Sequence, residues 1–166
     1  MDAYGKFAGV YDQLMLDVPY GQIAELIDRE IKVQKLNNRI VLDLACGTGT
    51  LTGLLCQKGY EMIGADSSTE MLIKAREKNP GVLFLNQPME ELELYGTVGA
   101  IVCCLDSLNY LTEDGALNTV FKLCNNYLEP GGLLLFDVNS EYKFEHILSD
   151  NVFTFDSEDI YYTWEN

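Results

Sequence analysis

Uninterrupted apolar runs of strand length alternate with segments of helical periodicity along most of the chain. The runs lie at 40–44, 60–65, 82–85, 98–105 and 133–136. Apolar runs without period-two alternation are typical of strands that are covered on both faces, as in a parallel sheet. The pattern therefore predicts a doubly wound α/β fold, a mostly parallel sheet flanked by helices, in which ligands bind at the carboxyl ends of the strands.

Apolar residues at helical spacing predict four helices around these strands. We expect them over 21–35, from Leu51 to Gly59, from Ser67 to Asn79 and over 112–128. Ser67-Ser68-Thr69-Glu70 fits a capping box at the start of the third helix, and Gly59 is suited to follow the second. Pro130-Gly131-Gly132 is expected to end the fourth helix before the last strand begins.

The segment 151–166 differs in character, because aromatic residues surround an acidic turn at 156–159. It predicts one and a half antiparallel strands. An aromatic sheet edge without a partner invites aggregation. We therefore expect that the chain is a fragment or that this tail pairs with something else, an oligomer through the C-terminal strand being one such pairing. In the chain alone, 152–164 is expected to be disordered or paired in a non-native way. The predicted organisation is one domain over 1–150, followed by a strand extension over 151–166 that is cut short.

Composition narrows the classes of function. The 166 residues suit one domain, and 26 Asp and Glu against 11 Lys and Arg give a net charge of −15, which disfavours nucleic-acid and anionic-membrane partners. The amino terminus lacks the pattern of a secretory signal, and the apolar runs are too short to span a bilayer. Five cysteines without a CxxC pair predict a reduced, cytoplasmic chain without a metal site.

The sharpest chemical signal follows the first predicted strand, where Asp43 precedes the glycine-containing segment 45–50. A dinucleotide site of the GxGxxG type would have a third glycine where this chain has Thr52. Asp43 would repel a pyrophosphate, whereas an ammonium or sulfonium group would suit a buried carboxylate. The alternative is that Asp43 only caps amide groups of the loop.

Asp66 ends the second predicted strand. A carboxylate there can accept hydrogen bonds from both hydroxyls of a ribose. The alternative role is to cap the following helix, which Ser67 or Ser68 already can do. Together, Asp43 and Asp66 describe adenosine that lacks phosphates and carries a cationic amino acid.

This combination resembles the class I S-adenosylmethionine-dependent methyltransferases that act on small molecules, which have a Rossmann-like fold. The resemblance covers essentially the whole chain and implies S-adenosyl-L-methionine as the cofactor. In such enzymes the segment 43–49 wraps the methionine part, Asp66 binds the ribose, and 86–90 forms the adenine turn. The implied cofactor contacts are Tyr11, Asp43, Ala45, Cys46, Gly47, Thr48, Gly49, Asp66, Ser67, Met71, Gln87, Pro88, Met89, Cys104 and Leu105.

Further features of the resemblance concern the lid and three departures. The resemblance implies that 1–150 is a cofactor-binding methyltransferase domain with an amino-terminal helical lid over about 1–36. The opening from Tyr4 to Asp12 resembles this lid, in which Tyr11 closes over the methionine carboxylate. Ala45 replaces the first glycine of the family's loop, a change expected to be mild. Pro88 stands where relatives often have an acidic residue, so the N–H of Met89 and apolar stacking are expected to hold the adenine. Relatives also continue with two more sheet strands.

Methyl transfer is an in-line displacement that depends mainly on alignment, so few catalytic side chains are expected. Candidates for a general base are Asp106 and Tyr110, and His146 is the third candidate, its alternative being a helix-surface residue. Asp137, at the end of the fifth strand, is expected to cap a turn with Asn139 and Ser140. The predicted function is methyl transfer to a small-molecule acceptor. The alternatives are a cofactor-binding module without turnover and a nucleotide-dependent oxidoreductase, against which Thr52 and Asp43 argue.

Overall fold

The computed structural model describes residues 7–156 and 161–165, and its centre is a parallel sheet of five strands with the order β3-β2-β1-β4-β5. A separate antiparallel pair, β6 and β7, follows. The sheet confirms the predicted doubly wound α/β fold. The strands are Ile40–Leu44 (β1), Glu61–Asp66 (β2), Leu83–Asn86 (β3), Val98–Cys103 (β4), Leu128–Phe136 (β5), Val152–Asp156 (β6) and Tyr161–Glu165 (β7).

Helices cover both faces of the sheet. They are Tyr11–Leu14 (α1), Tyr20–Gln34 (α2), Thr50–Gln57 (α3), Thr69–Lys78 (α4), Ala116–Tyr127 (α5) and Glu141–Lys143 (α6). Short 3₁₀ turns lie at Phe7–Gly9, Met89–Glu91 and Ser107–Tyr110, and a π turn lies at Phe144–Leu148. In the part of the chain described, no helix is both apolar enough and long enough to cross a membrane.

Strand β1 shows how the sequence creates the two faces. Successive side chains of a strand point to opposite sides. Val41 packs with Ile27 and Leu55 from α2 and α3, whereas Leu42 and Leu44 pack with residues of α5. Asp43 therefore projects to the side of Val41, where α3 begins.

The sheet order places a crevice at the end of β1. This strand pairs with β2 on one side and with β4 on the other. The chain therefore adds β2 and β3 on one side of β1 and then crosses to the opposite side, where it adds β4 and β5. Ligands of doubly wound folds bind where the strand order reverses, outside the carboxyl ends of the strands. Asp43 lies at that end of β1, and Asp66 ends β2.

Several predicted boundaries differ from the structure: α5 begins at Ala116 rather than at 112, and β4 ends at Cys103 rather than at 105. Strand β5 begins at Leu128 rather than at Leu133, and it passes through Pro130-Gly131-Gly132 with a shift of register between Val98 and Ala100 on β4. An edge strand tolerates proline at a position where the N–H of another residue would point away from the sheet, because no hydrogen bond of the ladder is lost there. The capping box is displaced by one residue: Ser68, not Ser67, caps α4 and accepts the Met71 N–H at 3.3 Å. Gly59 follows α3 with a φ of 88°, as predicted.

The tail consists of two antiparallel strands of five residues each, which pair with each other. The antiparallel strands were predicted, although the second is longer than the half strand expected, and pairing of the tail with something else stays a prediction. Phe153 of β6 lies opposite Trp164 of β7, with ring centroids 5.5 Å apart. The acidic turn expected at 156–159 lies outside the described residues after Asp156.

Candidate cofactor site

A cavity of about 40 Å³ lies at the carboxyl ends of β1 and β4. The segment with α1 and the start of α2 contributes two tyrosines to its wall. Eight of the residues predicted to contact the cofactor line this cavity: Tyr11, Asp43, Ala45, Cys46, Gly47, Thr48, Cys104 and Leu105. Tyr20, Thr50, Leu51 and Ser107 complete the lining.

Asp43 is the buried charge of the cavity. Only 2% of its surface is exposed, and its carboxylate accepts a hydrogen bond from the Thr52 hydroxyl on α3. Burial raises the pKa of Asp43 to about 7; the bonds from Thr52 oppose this rise, and the nearby Asp66 adds to it. Within the described part of the chain, the side chains that act on this carboxyl are those of Thr52 and Asp66, and neither is a cation.

This arrangement fits S-adenosylmethionine, because a buried carboxylate is stabilised by a cationic ligand. The structure also supports part of the alternative, in which Asp43 caps backbone amide groups. Thr52, in the first turn of α3, donates its N–H as well as its hydroxyl to the Asp43 carboxylate.

The loop after β1 bends sharply, because Ala45, Gly47 and Gly49 have φ angles of 61°, 53° and 72°. Gly49 is required for a second reason: a Cβ there would lie 2.9 Å from the Asn79 amide nitrogen and 3.0 Å from the Ala75 Cβ. Ala45 adopts the left-handed conformation too, which is less favourable for alanine than for glycine, and the expectation that the change from glycine is mild stays a prediction. A non-glycine residue in the left-handed region costs about 1–2 kcal/mol.

Asp66 connects the loop to α4. One carboxylate oxygen accepts the Gly47 N–H and the other accepts the Ser68 N–H, each at 2.8 Å. Burial raises the pKa of Asp66, and these backbone donors oppose the rise. Because each carboxylate oxygen can accept two hydrogen bonds, both retain capacity for a ribose hydroxyl.

The predicted adenine side lies outside the cavity. The Gln87 N–H bonds to the Asp66 carbonyl at 3.0 Å, while its side-chain amide exchanges two hydrogen bonds with the backbone of Glu93. Pro88 precedes the 3₁₀ turn that begins at Met89, whose sulfur lies 3.9 Å from that of Cys103. Of the other predicted contacts, Met71 is buried and Ser67 is exposed. Gly49 and Asp66 also lie beyond the lining.

An ionic latch, formed by Asp12, Thr48, Thr50 and Lys78, fastens α1 over the glycine loop. Asp12 accepts bonds from the Lys78 ammonium at 2.8 and 3.0 Å and from the Thr48 hydroxyl at 2.6 Å. Lys78 also donates to Thr48 and Thr50 at 2.9 and 2.8 Å. Partial burial raises the pKa of Asp12, but the bonds from Lys78 and Thr48 outweigh it, and the net pKa lies below the ordinary value. Sequence reasoning missed this latch, because its charged partners are far apart in the chain and belong to no motif.

Two tyrosines cover the cavity. Burial raises the pKa of Tyr11 to about 12 and that of Tyr20 further, so both hydroxyls keep their protons at neutral pH and can donate hydrogen bonds. Tyr11 occupies the predicted position in the lid, whereas Tyr4 lies outside the described residues. Tyr20 was not predicted; its place in the first turn of α2, ahead of the apolar face, was the available signal.

The predicted base candidates lie at the rim or beyond it. Asp106 forms an ion pair with Lys143 at 2.9 Å, and Tyr110 is 66% exposed. His146 stacks on Tyr142 with ring centroids 4.5 Å apart, on the exposed surface of the π turn. None of the three lines the cavity. Among the described residues, no cluster of histidine, cysteine and carboxylate side chains could hold a metal ion.

Fold and crevice are those of the S-adenosylmethionine-dependent methyltransferase class, and comparisons with known proteins agree. The family described as "Methyltransferase domain" matches residues 41–132. The putative methyltransferase YqeM of Bacillus subtilis is 40% identical over 98% of this chain and 66% of its own length. A crystal structure of an S-adenosylmethionine-dependent methyltransferase from Clostridium acetobutylicum superposes with a TM-score of 0.85, at 38% identity, over 98% of this chain and 68% of that one.

A more distant relative has a named substrate. A dTDP-3-amino-3,4,6-trideoxy-alpha-D-glucopyranose N,N-dimethyltransferase of Streptomyces venezuelae is 30% identical over 57% of this chain and 40% of its own length. The chain spans about two thirds of the length of YqeM and of the C. acetobutylicum enzyme. The chain belongs to the methyltransferase-domain family.

Proposed function

We propose that the protein transfers a methyl group from S-adenosyl-L-methionine to a small-molecule acceptor. The observation that carries the proposal is the buried Asp43 carboxylate, which lies in the crevice without a cationic partner among the described residues. An S-adenosylmethionine molecule brings the missing positive charge. The amino-sugar methyltransferase from S. venezuelae supports the small-molecule acceptor.

The chain's own residues bind and align the reactants. Asp43 holds the cationic amino-acid part, and the bent loop from Ala45 to Gly49 lets the backbone approach it. Asp66 accepts hydrogen bonds from the ribose, and Tyr11 closes the cavity from above. When bound, S-adenosylmethionine supplies a methyl group activated by its sulfonium, so alignment and exclusion of water do most of the catalytic work.

We assign to Asp106 and Tyr110 the role of receiving a proton from acceptors that must lose one. Both follow β4 at the rim of the crevice, and Asp106 forms an ion pair with Lys143 at 2.9 Å. An acceptor that attacks as a neutral amine needs no base before the displacement.

Calorimetric titration tests the cofactor proposal. S-adenosylhomocysteine should bind and raise the melting temperature, whereas NADH should do neither. Asp66→Ala should weaken binding by about 1.5–3 kcal/mol, the range for lost bonds to a charged group. The exposed Asp114→Ala is the matched control and should bind normally. Normal affinity in Asp66→Ala would remove the ribose assignment.

The second candidate function is a cofactor-binding module without turnover of its own. It is favoured by the positions of the three candidate bases, none of which lines the cavity. Binding of S-adenosylhomocysteine without methyl transfer to any of a broad set of acceptors would support this alternative. We also propose a cytoplasmic location, because all five cysteines are unpaired.

A further inference from the structure

The loop after β4 contains two consecutive residues in a strained conformation. Leu105 and Asp106 have φ angles of 65° and 64°, in the left-handed region that favours glycine. Residues held in such conformations persist only where the surrounding structure enforces them, and they concentrate at functional sites.

The side chain that enforces this conformation is Asp137, which follows β5. One carboxylate oxygen accepts the Leu105 N–H at 2.9 Å, and the other accepts the Asp106 N–H at 3.0 Å. Its own N–H continues the ladder to the Cys103 carbonyl. The expected turn with Asn139 and Ser140 is not its role; Asp137 instead caps the backbone of the neighbouring loop. Hydrogen bonds to a carboxylate are stronger than neutral ones.

Side chains make a second connection between the same two segments. Lys143 donates to the Asp106 carboxylate at 2.9 Å and to the Asn139 side chain at 2.6 Å. The Asn139 N–H bonds to the Asn109 side chain at 3.3 Å. These contacts hold the outer part of the loop, and the Asn109 side chain also donates to the Asp106 carbonyl at 3.2 Å. Asp137 is the side chain that binds the N–H groups of both strained residues.

The braced loop is part of the cavity wall. Cys104, Leu105 and Ser107 line the cavity, whereas Asp137 does not. We propose that Asp137 is a positioning residue: its carboxylate keeps Leu105 and Asp106 in the left-handed conformation and thereby sets the wall against which the cofactor binds. The inference rests on the proposed function, since it concerns the same cavity.

Asp137→Asn tests the proposal with little change of shape. The amide offers one acceptor where the carboxylate offers two, and its NH₂ opposes the second backbone N–H. Hydrogen exchange at Leu105 and Asp106 should accelerate about tenfold, and the Kd for S-adenosylhomocysteine should rise by a similar factor. The matched control Lys143→Met removes the ion pair with Asp106 and the bond to Asn139 but leaves both bonds of Asp137 in place, and both quantities should stay within about twofold of the wild type.

A double-mutant cycle provides a readout that general destabilisation would not give. Glycine adopts the left-handed conformation freely, so Asp106→Gly reduces the need for the brace. The loss of affinity caused by Asp137→Asn should therefore be clearly smaller in the Asp106→Gly background than in the wild type. This cycle remains informative where Asp137→Asn folds poorly, because glycine relieves the same strain.

Three outcomes would contradict the proposal: unchanged exchange at both amides, unchanged affinity in Asp137→Asn, or an equal loss of affinity in both backgrounds. A wild type that binds no S-adenosylhomocysteine would contradict the proposed function instead, so the two failures are distinguishable.

Discussion

Asp43 shows how one residue combines a cost in stability with a role in binding. Its pKa rises from 3.8 to about 7, so the folded chain holds a proton that the unfolded chain has released between these pH values. Stability conferred by this group therefore falls as the pH rises through that window and stays low above it. At about 1.4 kcal/mol per pKa unit, the upper bound of this loss is about 4 kcal/mol.

Asp43→Asn should therefore stabilise the ligand-free protein at pH 8 by about 1–3 kcal/mol, because it removes a buried charge while keeping the shape. The gain should nearly vanish at pH 4, where Asp43 is neutral in the folded wild type. Urea unfolding at the two pH values measures both effects. A variant that is less stable than the wild type at pH 8 would contradict this account.

The same substitution should abolish the pH dependence of binding. Wild-type affinity for S-adenosylmethionine should increase from pH 6 to pH 8 as Asp43 ionises, and Asp43→Asn should bind weakly at both values.

The roles predicted for Asp43 and for the loop glycines come from local signals, a carboxylate at a strand end and glycines in a turn. The Thr52 partner of Asp43 and the strain at Ala45 could not be predicted, because they depend on how α3 meets the loop.

At the scale of elements, the end of α4 performs two tasks at the glycine loop. Lys78 reaches Asp12 and the loop threonines, and the Asn79 side chain donates to the Gly49 carbonyl at 2.9 Å. Periodicity predicted the helix and its approximate end. It could not predict the latch, because charges on α1 and α4 meet only after the chain has folded.

Lys78→Met should loosen the ionic latch and speed release of S-adenosylhomocysteine about fivefold, which corresponds to about 1 kcal/mol for a partly exposed ion pair with added hydrogen bonds. Lys74→Met is the matched control on the same helix, since it removes only the surface pair with Glu77. Stopped-flow displacement measures the release rates. Equal rates in the two variants would show that the latch does not retain the ligand.

At the scale of the whole molecule, the ribbon of β6 and β7 stands apart from the five-stranded sheet. Val152, Tyr161 and Trp164 are exposed on it, at 59%, 73% and 43%. Apolar runs predicted the central strands because burial on both faces determines their composition. At the tail, the aromatic residues around an acidic turn predicted antiparallel strands, but not that β6 and β7 would be two strands of equal length paired with each other.

Self-association through this ribbon is the expected consequence of its exposed aromatic side chains and unpaired edges. Added salt should promote the association, because it screens repulsion between copies that each carry a net charge of −15. Sedimentation velocity should show less association for Trp164→Thr than for Tyr95→Thr, which removes an exposed aromatic elsewhere. Monomers at every salt concentration would contradict the expectation.

The order of the central sheet also has a consequence for synthesis on the ribosome. Strands β1, β2 and β3 are consecutive and adjacent, so they can assemble as soon as Asn86 has emerged. Strand β4 must then dock on the opposite side of β1, and the carboxylate that restrains its loop arrives later still, after β5. The nascent chain therefore forms the side of the crevice that contains Asp43 and Asp66 first. The edge of β1 that later pairs with β4 requires protection until β4 has been translated.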